Sequence, residues 1–128
     1  MRILIDTHVL LWSQGFQKRL TPTVRELLEE PEQEVFFSVA SIWEIAIKSR
    51  LRKADFKADP RLVLEAARAT GFVELPVSST VASAVADLPM HHADPFDRLL
   101  VAQALDLPAR LLTLDKQLAP YSELVIVV

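Results

Sequence analysis

Four carboxylates lie where the chain passes from one predicted element to the next: Asp6, Glu44, Asp97 and Asp115. Three of them follow or interrupt strongly apolar stretches, such as residues 3–5 before Asp6 and residues 111–114 before Asp115. A carboxylate this close to a core is unfavourable unless a positive group meets it. Several carboxylates at one edge of a sheet form a site for a hard cation. The residue types therefore predict a metal centre suited to phosphate chemistry.

Glu44 lies in a predicted helix that ends near residue 52. The apolar positions of this helix form a stripe at helical spacing: Val39, Ile42, Trp43, Ala46 and Ile47. Glu44 falls just beyond the stripe, so we expect it at the rim of the core, where it can reach over a sheet edge. The alternative is an ordinary i,i+4 pair with Lys48, which has the favourable polarity.

Asp97 lies on a helical face with apolar residues at spacings of three, four and seven: Leu100, Val101 and Ala104. A carboxylate on that face points inward. The alternative is an acid that the dipole favours in the first turn of a helix. Asp94, which a proline follows, is the better N-cap, so capping does not require Asp97.

Asp6 and Asp115 each follow a predicted strand, and each can equally serve as the N-cap of the helix or turn that comes next. Singly, these two acids are therefore weak signals. Together with Glu44 and Asp97 they are stronger, because a parallel sheet would bring all four positions to one end.

The sequence context of the histidines and tryptophans favours structural roles for them. His91 and His92 are adjacent, so their side chains do not normally converge on one ion, and no cysteine is present to complete a zinc site. His8 is interpreted as a packed or capping histidine. Trp12 and Trp43 occur within apolar helical patterns and are predicted to lie in the core.

Strand-like and helical patterns alternate along the chain. The strand-like runs cover residues 2–5, 34–37, 72–75, 110–114 and 124–127. The helical patterns cover residues 7–14, 22–30, 39–52, 60–71, 79–88 and 95–107, with a final turn at residues 116–118. This alternation predicts an α/β fold with a mainly parallel sheet and helices on both faces. Ligands of such sheets bind beyond the carboxyl ends of the strands, where Asp6 and Asp115 fall.

Length and composition exclude several classes of protein. The chain has 128 residues, which predicts one domain over residues 1–128 with room for a real core. Its formal net charge of -3 argues against a general binder of duplex DNA. Only two glycines occur, Gly15 and Gly71, which argues against a glycine-rich phosphate loop. No cysteine is present, and no apolar run approaches the length of a membrane-spanning helix.

A locally basic segment begins at the end of the helix that carries Glu44. Residues 48–61 contain Lys48, Arg50, Arg52, Lys53, Lys57 and Arg61 against only Asp55 and Asp59. Such a segment beside an acidic centre can guide a phosphate backbone. The alternative is an ordinary solvated helix end and loop.

Four stretches resemble the sequence motifs of PIN-domain proteins, specifically the VapC-type toxins. They are residues 3–12 (ILIDTHVLLW), 38–48 (SVASIWEIAIK), 91–104 (HHADPFDRLLVAQA) and 112–116 (LTLDK). The resemblance runs from end to end, in order and at natural spacing, which is far more specific than any single motif.

The resemblance implies a PIN-like three-layer α/β/α fold with a mainly parallel five-stranded sheet. It implies a metal-dependent endoribonuclease that acts as the toxin of a type II toxin–antitoxin pair in the cytoplasm. The acids of the family carry over to Asp6, Glu44, Asp97 and Asp115, which would bind Mg²⁺ or Mn²⁺. A cognate antitoxin, an RNA substrate and a homodimer are the implied partners, and no membrane is involved.

Other residues are expected to support this centre. Thr7 and Thr113 offer hydroxyls that can hold the metal-binding carboxylates in place. Asp94 is an additional acid whose role the family pattern leaves open. The basic side chains expected to grip the RNA backbone are Lys48, Arg50 and Arg52, and single-stranded or looped RNA is the favoured substrate class.

The motifs bear on three rival interpretations of the chain. A phosphatase of the haloacid-dehalogenase type needs a second aspartate two residues after the first, and His8 occupies that position. A receiver domain needs an acidic pair near the first strand and a late lysine at a strand end, and neither is clear. A non-catalytic acidic α/β interaction module, with the acids as caps and ion pairs, stays open.

Overall fold

A computed structural model of the chain describes residues 1–16, 19–53 and 57–128. One sheet contains five strands: β1 (Arg2–Ile5), β2 (Glu34–Ser38), β3 (Val73–Leu75), β4 (Arg110–Thr113) and β5 (Val125–Val127). Every neighbouring pair is parallel, and the order across the sheet is β3-β2-β1-β4-β5. The predicted α/β fold with a five-stranded sheet is confirmed, and the sheet is parallel throughout the described residues.

Among the described residues, six α-helices connect or follow these strands: α1 (Thr7–Ser13), α2 (Pro22–Glu29), α3 (Val39–Arg50), α4 (Pro60–Thr70), α5 (Ser79–Ala84) and α6 (Pro95–Asp106). Short 3₁₀ helices cover Val85–Asp87 and Lys116–Tyr121. The N-cap side chains of Thr21, Asp59 and Asp94 each accept a backbone N–H, and a proline follows each of them. Helix α4 ends at Gly71, whose φ of 92° is the left-handed conformation that glycine adopts without strain.

Two apolar clusters cover the two faces of the sheet, and the alternation of β1 divides its side chains between them. Ile3 and Ile5 face a cluster formed with α1, α2, α3 and α4. Leu4 faces a second cluster formed with α6 and the 3₁₀ helix Lys116–Tyr121. The result is the expected three-layer α/β/α arrangement.

The strand order places a crevice between β1 and β4. Strands β1, β2 and β3 extend to one side, and β4 and β5 extend to the other. Because the winding reverses between β1 and β4, the connections beyond their carboxyl ends diverge and leave an opening there. Asp6 follows β1 directly, and Asp115 follows β4 after one intervening residue.

The predicted apolar stripe of α3 is wrong. The buried face of this helix consists of Ala40, Ser41, Glu44 and Ile45. Trp43, which was predicted to be in the core, has 60% of its surface exposed, and Glu44 is buried rather than at the rim. The helix is apolar around most of its circumference, so its period does not define one face. The other tryptophan, Trp12, is partly buried against the first cluster, as predicted.

Two observations bear on the remaining sequence-based expectations. Within the described ranges, no helix is long and apolar enough to cross a bilayer. Residues 54–56, which include Asp55 of the basic segment, lie outside the described residues.

Candidate metal centre

A cleft of about 610 Å³ opens at the carboxyl ends of β1 and β4. Five carboxylates line it: Asp6, Glu44, Asp94, Asp97 and Asp115. These are the four acids singled out in the sequence and the additional acid of the third motif. The structure therefore gathers residues from four separate segments into one cavity, as a parallel sheet predicts.

Asp6 caps α1 and also anchors the floor of the cleft. Its Oδ1 accepts the backbone N–H of Val9 at 2.8 Å. Its Oδ2 accepts the hydroxyl of Thr113 at 2.6 Å and the backbone N–H of Leu114 at 3.1 Å. Burial raises the pKa of Asp6, although the hydrogen bond from Thr113 opposes that effect. The capping and site interpretations of Asp6 are thus compatible.

Glu44 is buried, and both of its oxygens have partners. Oε1 accepts the hydroxyl of Thr7, whose Oγ1 is also 3.0 Å from the hydroxyl oxygen of Ser41. Oε2 pairs with Nζ of Lys48 at 2.5 Å. The predicted i,i+4 pair is therefore present, and it lies inside the cleft rather than on the surface. The same Nζ is 3.8 Å from Oδ2 of Asp94, so one lysine balances two acids.

Asp97 lies in the first turn of α6 and points into the cleft. Asp94 is the N-cap, because its Oδ1 accepts the backbone N–H groups of Phe96 and Asp97. Burial and the nearby carboxylates of Asp94, Glu44 and Asp6 together raise the pKa of Asp97 to about 7, although the hydrogen bond with His92 opposes the rise. A cation beside Asp97 would therefore stabilise the charged form of its carboxyl.

His92 lies between two of these acids. Its Nε2 is 3.0 Å from Oδ2 of Asp97 and 3.2 Å from Oδ2 of Asp115. Burial alone would lower the pKa of His92, but Asp97 and Asp115 outweigh it and raise the pKa. Asp115 also caps the 3₁₀ helix that follows, because its Oδ1 accepts the backbone N–H of Gln117 at 2.9 Å.

Sequence reasoning missed the group that positions His92. The hydroxyl of Tyr121 accepts the backbone N–H of His92 at 3.0 Å and contacts its carbonyl oxygen at 3.3 Å. The buried guanidinium of Arg98 donates to this hydroxyl at 3.0 Å. Arg98 also donates to three carbonyl oxygens of the preceding 3₁₀ helix and loop, those of Val85, Leu88 and Pro89. The signal available in the sequence was Arg98 itself, an arginine beside Asp97 on a helix with few other polar residues.

The donors of the cleft fit a divalent cation. Ligand atoms of His92, Asp94 and Asp97 all lie within 4.8 Å of one another. Carboxylate oxygens suit Mg²⁺ and Mn²⁺, and a cluster of like charges binds such an ion in part by relief of repulsion. Asp6 and Glu44 approach the same cleft from the other side, where Thr113 and Thr7 hold them.

The predicted basic residues divide into two groups. Lys48 lines the cleft. Arg50 and Arg52 are exposed near the end of α3 and do not line the cleft. A phosphate backbone that contacted Lys48 and the two arginines would therefore extend from the cleft along the end of α3.

A family model and a solved structure match this chain. The family model described as the PIN domain matches residues 3–124. No curated protein matches the chain. A solved structure, VapBC2 from Rickettsia felis bound to a DNA fragment from its promoter, contains a chain with the same fold. The TM-score is 0.71 at 13% sequence identity, and the alignment covers 100% of this chain and 98% of that one.

The family match spans nearly the whole chain and all four acidic motifs. It agrees with the resemblance found in the sequence and with the parallel sheet that carries the cleft. The chain therefore belongs to the PIN-domain family.

Proposed function

We propose that the protein is a metal-dependent endoribonuclease and the VapC-type toxin of a type II toxin–antitoxin pair. The observation that carries this proposal is the convergence of five carboxylates in one cleft of a PIN fold. Such a cleft binds a divalent cation, and a cation at clustered carboxylates suits phosphodiester hydrolysis.

The residues divide the work of the proposed reaction. Asp6, Glu44, Asp97 and Asp115 would hold Mg²⁺ or Mn²⁺, which when bound supplies an acidified water and stabilises charge on the phosphate. Thr113 and Thr7 fix the oxygens of Asp6 and Glu44 by direct hydrogen bonds. Such bonds to ligand side chains preserve the site geometry in the absence of substrate.

The surroundings of the cleft support an RNA substrate. Lys48 presents a positive charge inside it. At its rim the exposed ring of Trp43 packs edge to face on Phe96, with ring centres 5.4 Å apart. Single-stranded RNA is recognised by cationic groups at its backbone and by rings on which its bases stack. Arg50 and Arg52 extend the positive charge along the end of α3.

The proposed partners come from the same family relationship. A matched chain comes from a VapBC2 structure bound to promoter DNA. By that analogy we propose a separately encoded antitoxin, a homodimer and a cytoplasmic location for this protein. Co-purification with the product of the neighbouring gene, followed by mass measurement of the intact complex, tests the antitoxin and the dimer together.

Cleavage of a broad RNA panel in the presence of Mn²⁺ tests the activity. The parent protein is expected to cut at least one RNA, and Asp97→Asn is expected to reduce the rate at least about 100-fold. Asp106→Asn is the matched control, because Asp106 lies exposed at the far end of the same helix. Equal rates for Asp97→Asn and the control would reject the proposed site.

Calorimetric titration with Mn²⁺ separates the enzyme from the non-catalytic interaction module. The proposed enzyme binds the ion, and Asp6→Asn weakens the binding. A folded parent protein that binds no divalent ion and cuts no RNA would favour the module.

A further inference from the structure

The imidazole of His92 lies among the carboxylates of the cleft at distances typical of ligands around one ion. Its Nε2 is 3.0 Å from Oδ2 of Asp97 and 3.2 Å from Oδ2 of Asp115. Adjacent ligands of a six-coordinate ion with bonds of about 2.1 Å are separated by roughly 3 Å. Asp94 also has a ligand atom close to those of His92 and Asp97. Its Oδ1 caps α6, and its Oδ2, which is 3.8 Å from Nζ of Lys48, is the oxygen that would face an ion.

The same separations also fit ordinary hydrogen bonds, so the way in which the ring is held matters. Tyr121 contacts both the backbone N–H and the carbonyl of His92 and fixes the backbone position. The side chain of Gln117 also lies near enough to the ring to raise the pKa of His92. Metal-binding histidines are commonly oriented by an additional hydrogen bond to the ring. His92 is therefore held in place by groups other than the acids it faces.

We propose that His92 and Asp94 join the carboxylates named above as ligands of the ion, next to Asp97, and that His92 makes the centre selective for Mn²⁺ over Mg²⁺. This inference rests on the proposed function, because it concerns the ion of the same cleft. Mg²⁺ prefers oxygen ligands and retains several waters, whereas imidazole nitrogen suits transition-metal ions. A centre that includes an imidazole binds the transition ion more tightly than a centre of oxygens alone.

Calorimetric titration of the full chain with MnCl₂ and with MgCl₂ measures this selectivity. His92→Gln is expected to weaken Mn²⁺ binding at least about tenfold and Mg²⁺ binding less than about threefold. His91→Gln is the matched control, because His91 is exposed and packs on Tyr121 outside the cleft lining. The contacts of Tyr121 with residue 92 involve its backbone, so His92→Gln keeps them.

Pulsed electron paramagnetic resonance of the Mn²⁺-loaded protein observes the ligand directly. With ¹⁵N-labelled histidine, a nitrogen coupling is expected in the parent protein. The coupling should persist in His91→Gln. It should also persist in His8→Gln, a variant that is included because His8 lines the cleft as well. It should disappear in His92→Gln. If that variant fails to fold, the comparison of the parent with His8→Gln still decides whether a histidine other than His8 is bound.

The outcomes separate this inference from the proposed function. Mn²⁺ binding without a nitrogen coupling, and unchanged in His92→Gln, overturns the role of His92 and leaves the carboxylate centre intact. Tighter Mn²⁺ binding in His92→Gln also overturns it, because the histidine would then compete with the ion. The absence of any divalent binding by the parent protein overturns both proposals.

Discussion

The two sides of the cleft hold their acids in different ways. On the Asp6 side, the carboxylates of Asp6 and Glu44 are saturated by donors from Thr113, Thr7, the backbone and Lys48. On the Asp97 side, the acids Asp94, Asp97 and Asp115 crowd around a single histidine. The first side is satisfied by the protein itself, whereas the second side gains most from an added cation.

This difference teaches that one cleft can combine a rigid support with an electrostatically strained binding group. Asp6 contributes to the fold as a cap and as a link from β1 to β4. Burial raises the pKa of Asp6 as well, but three hydrogen bonds oppose that rise, whereas burial and the neighbouring acids together raise the pKa of Asp97. Mutations on the two sides should therefore have opposite effects on stability, even where both abolish function.

Replacement of Asp6 should have the largest effect on stability. In EDTA, Asp6→Asn is expected to lower the free energy of unfolding by about 1–3 kcal/mol, because a buried donor loses its acceptor whichever way the amide is turned. Urea denaturation measures this, with Asp106→Asn as the control. Unchanged stability of Asp6→Asn would remove the proposed contrast between the two sides.

Metal binding should depend on pH through the Asp97 side. Asp97 has a pKa of about 7 in the metal-free protein and must lose its proton to bind an ion. The apparent affinity for Mn²⁺ is therefore expected to rise about fivefold between pH 6 and pH 7 through Asp97 and to change less above pH 7. Calorimetry in two buffers of different ionisation enthalpy should detect proton release at pH 6. Equal affinity at both values would contradict the assignment.

Replacement of Asp97 should stabilise the metal-free protein. The pKa of its carboxyl is 3.8 in the reference state and about 7 in the fold, and the pKa of His92 is also raised. Folding therefore takes up protons. The stability that depends on Asp97 falls as the pH rises from about 4 through 7, and the part that depends on His92 falls above about pH 6.5. In EDTA, Asp97→Asn should raise the free energy of unfolding by about 1 kcal/mol at pH 8.

The pH dependence of the stability gained by Asp97→Asn serves as a control. The advantage of Asp97→Asn over the parent should shrink as the pH falls from 8 to 5, where the parent carboxyl holds its proton. Added Mn²⁺ should raise the melting temperature of the parent and leave that of Asp97→Asn nearly unchanged. A variant that is less stable than the parent at pH 8 would show that the Asp97 side is not strained.

Asp115 should give the smallest effect on stability. Asparagine caps helices about as well as aspartate, and Asp115 is the most exposed of the acids that face His92. Asp115→Asn is therefore expected to change the free energy of unfolding by less than about 0.5 kcal/mol in EDTA. A loss comparable to that of Asp6→Asn would mean that both strand-end acids act as structural anchors.

Much of the fold could be predicted from local signals. The caps Thr21, Asp59 and Asp94, each followed by proline, mark helix starts that the structure confirms. The apolar runs before Asp6 and Asp115 gave β1 and β4 to within one residue. The orientation of α3 could not be predicted, because its apolar residues surround the helix and packing against the sheet selects the buried face.

The candidate site was predictable in its acids and not in its contacts. Asp6, Glu44, Asp97 and Asp115 were identified by their places at element boundaries and by motif resemblance, and all four line one cleft. The partners of these acids were less visible. The adjacency of His91 and His92 argues against a shared ion, yet the two rings point to different neighbours. Side-chain direction in a loop depends on its anchors, here Arg98 and Tyr121.

The sequence by itself determined which segments become strands and helices, since caps, prolines and apolar periodicity act within a few residues. It also determined that acids follow the strands. Only the tertiary structure decided that Lys48 and His92 lie between those acids and that Glu44 is buried. The physical reason is that charges interact through space, so their pairing follows from the packing of distant segments and not from their order along the chain.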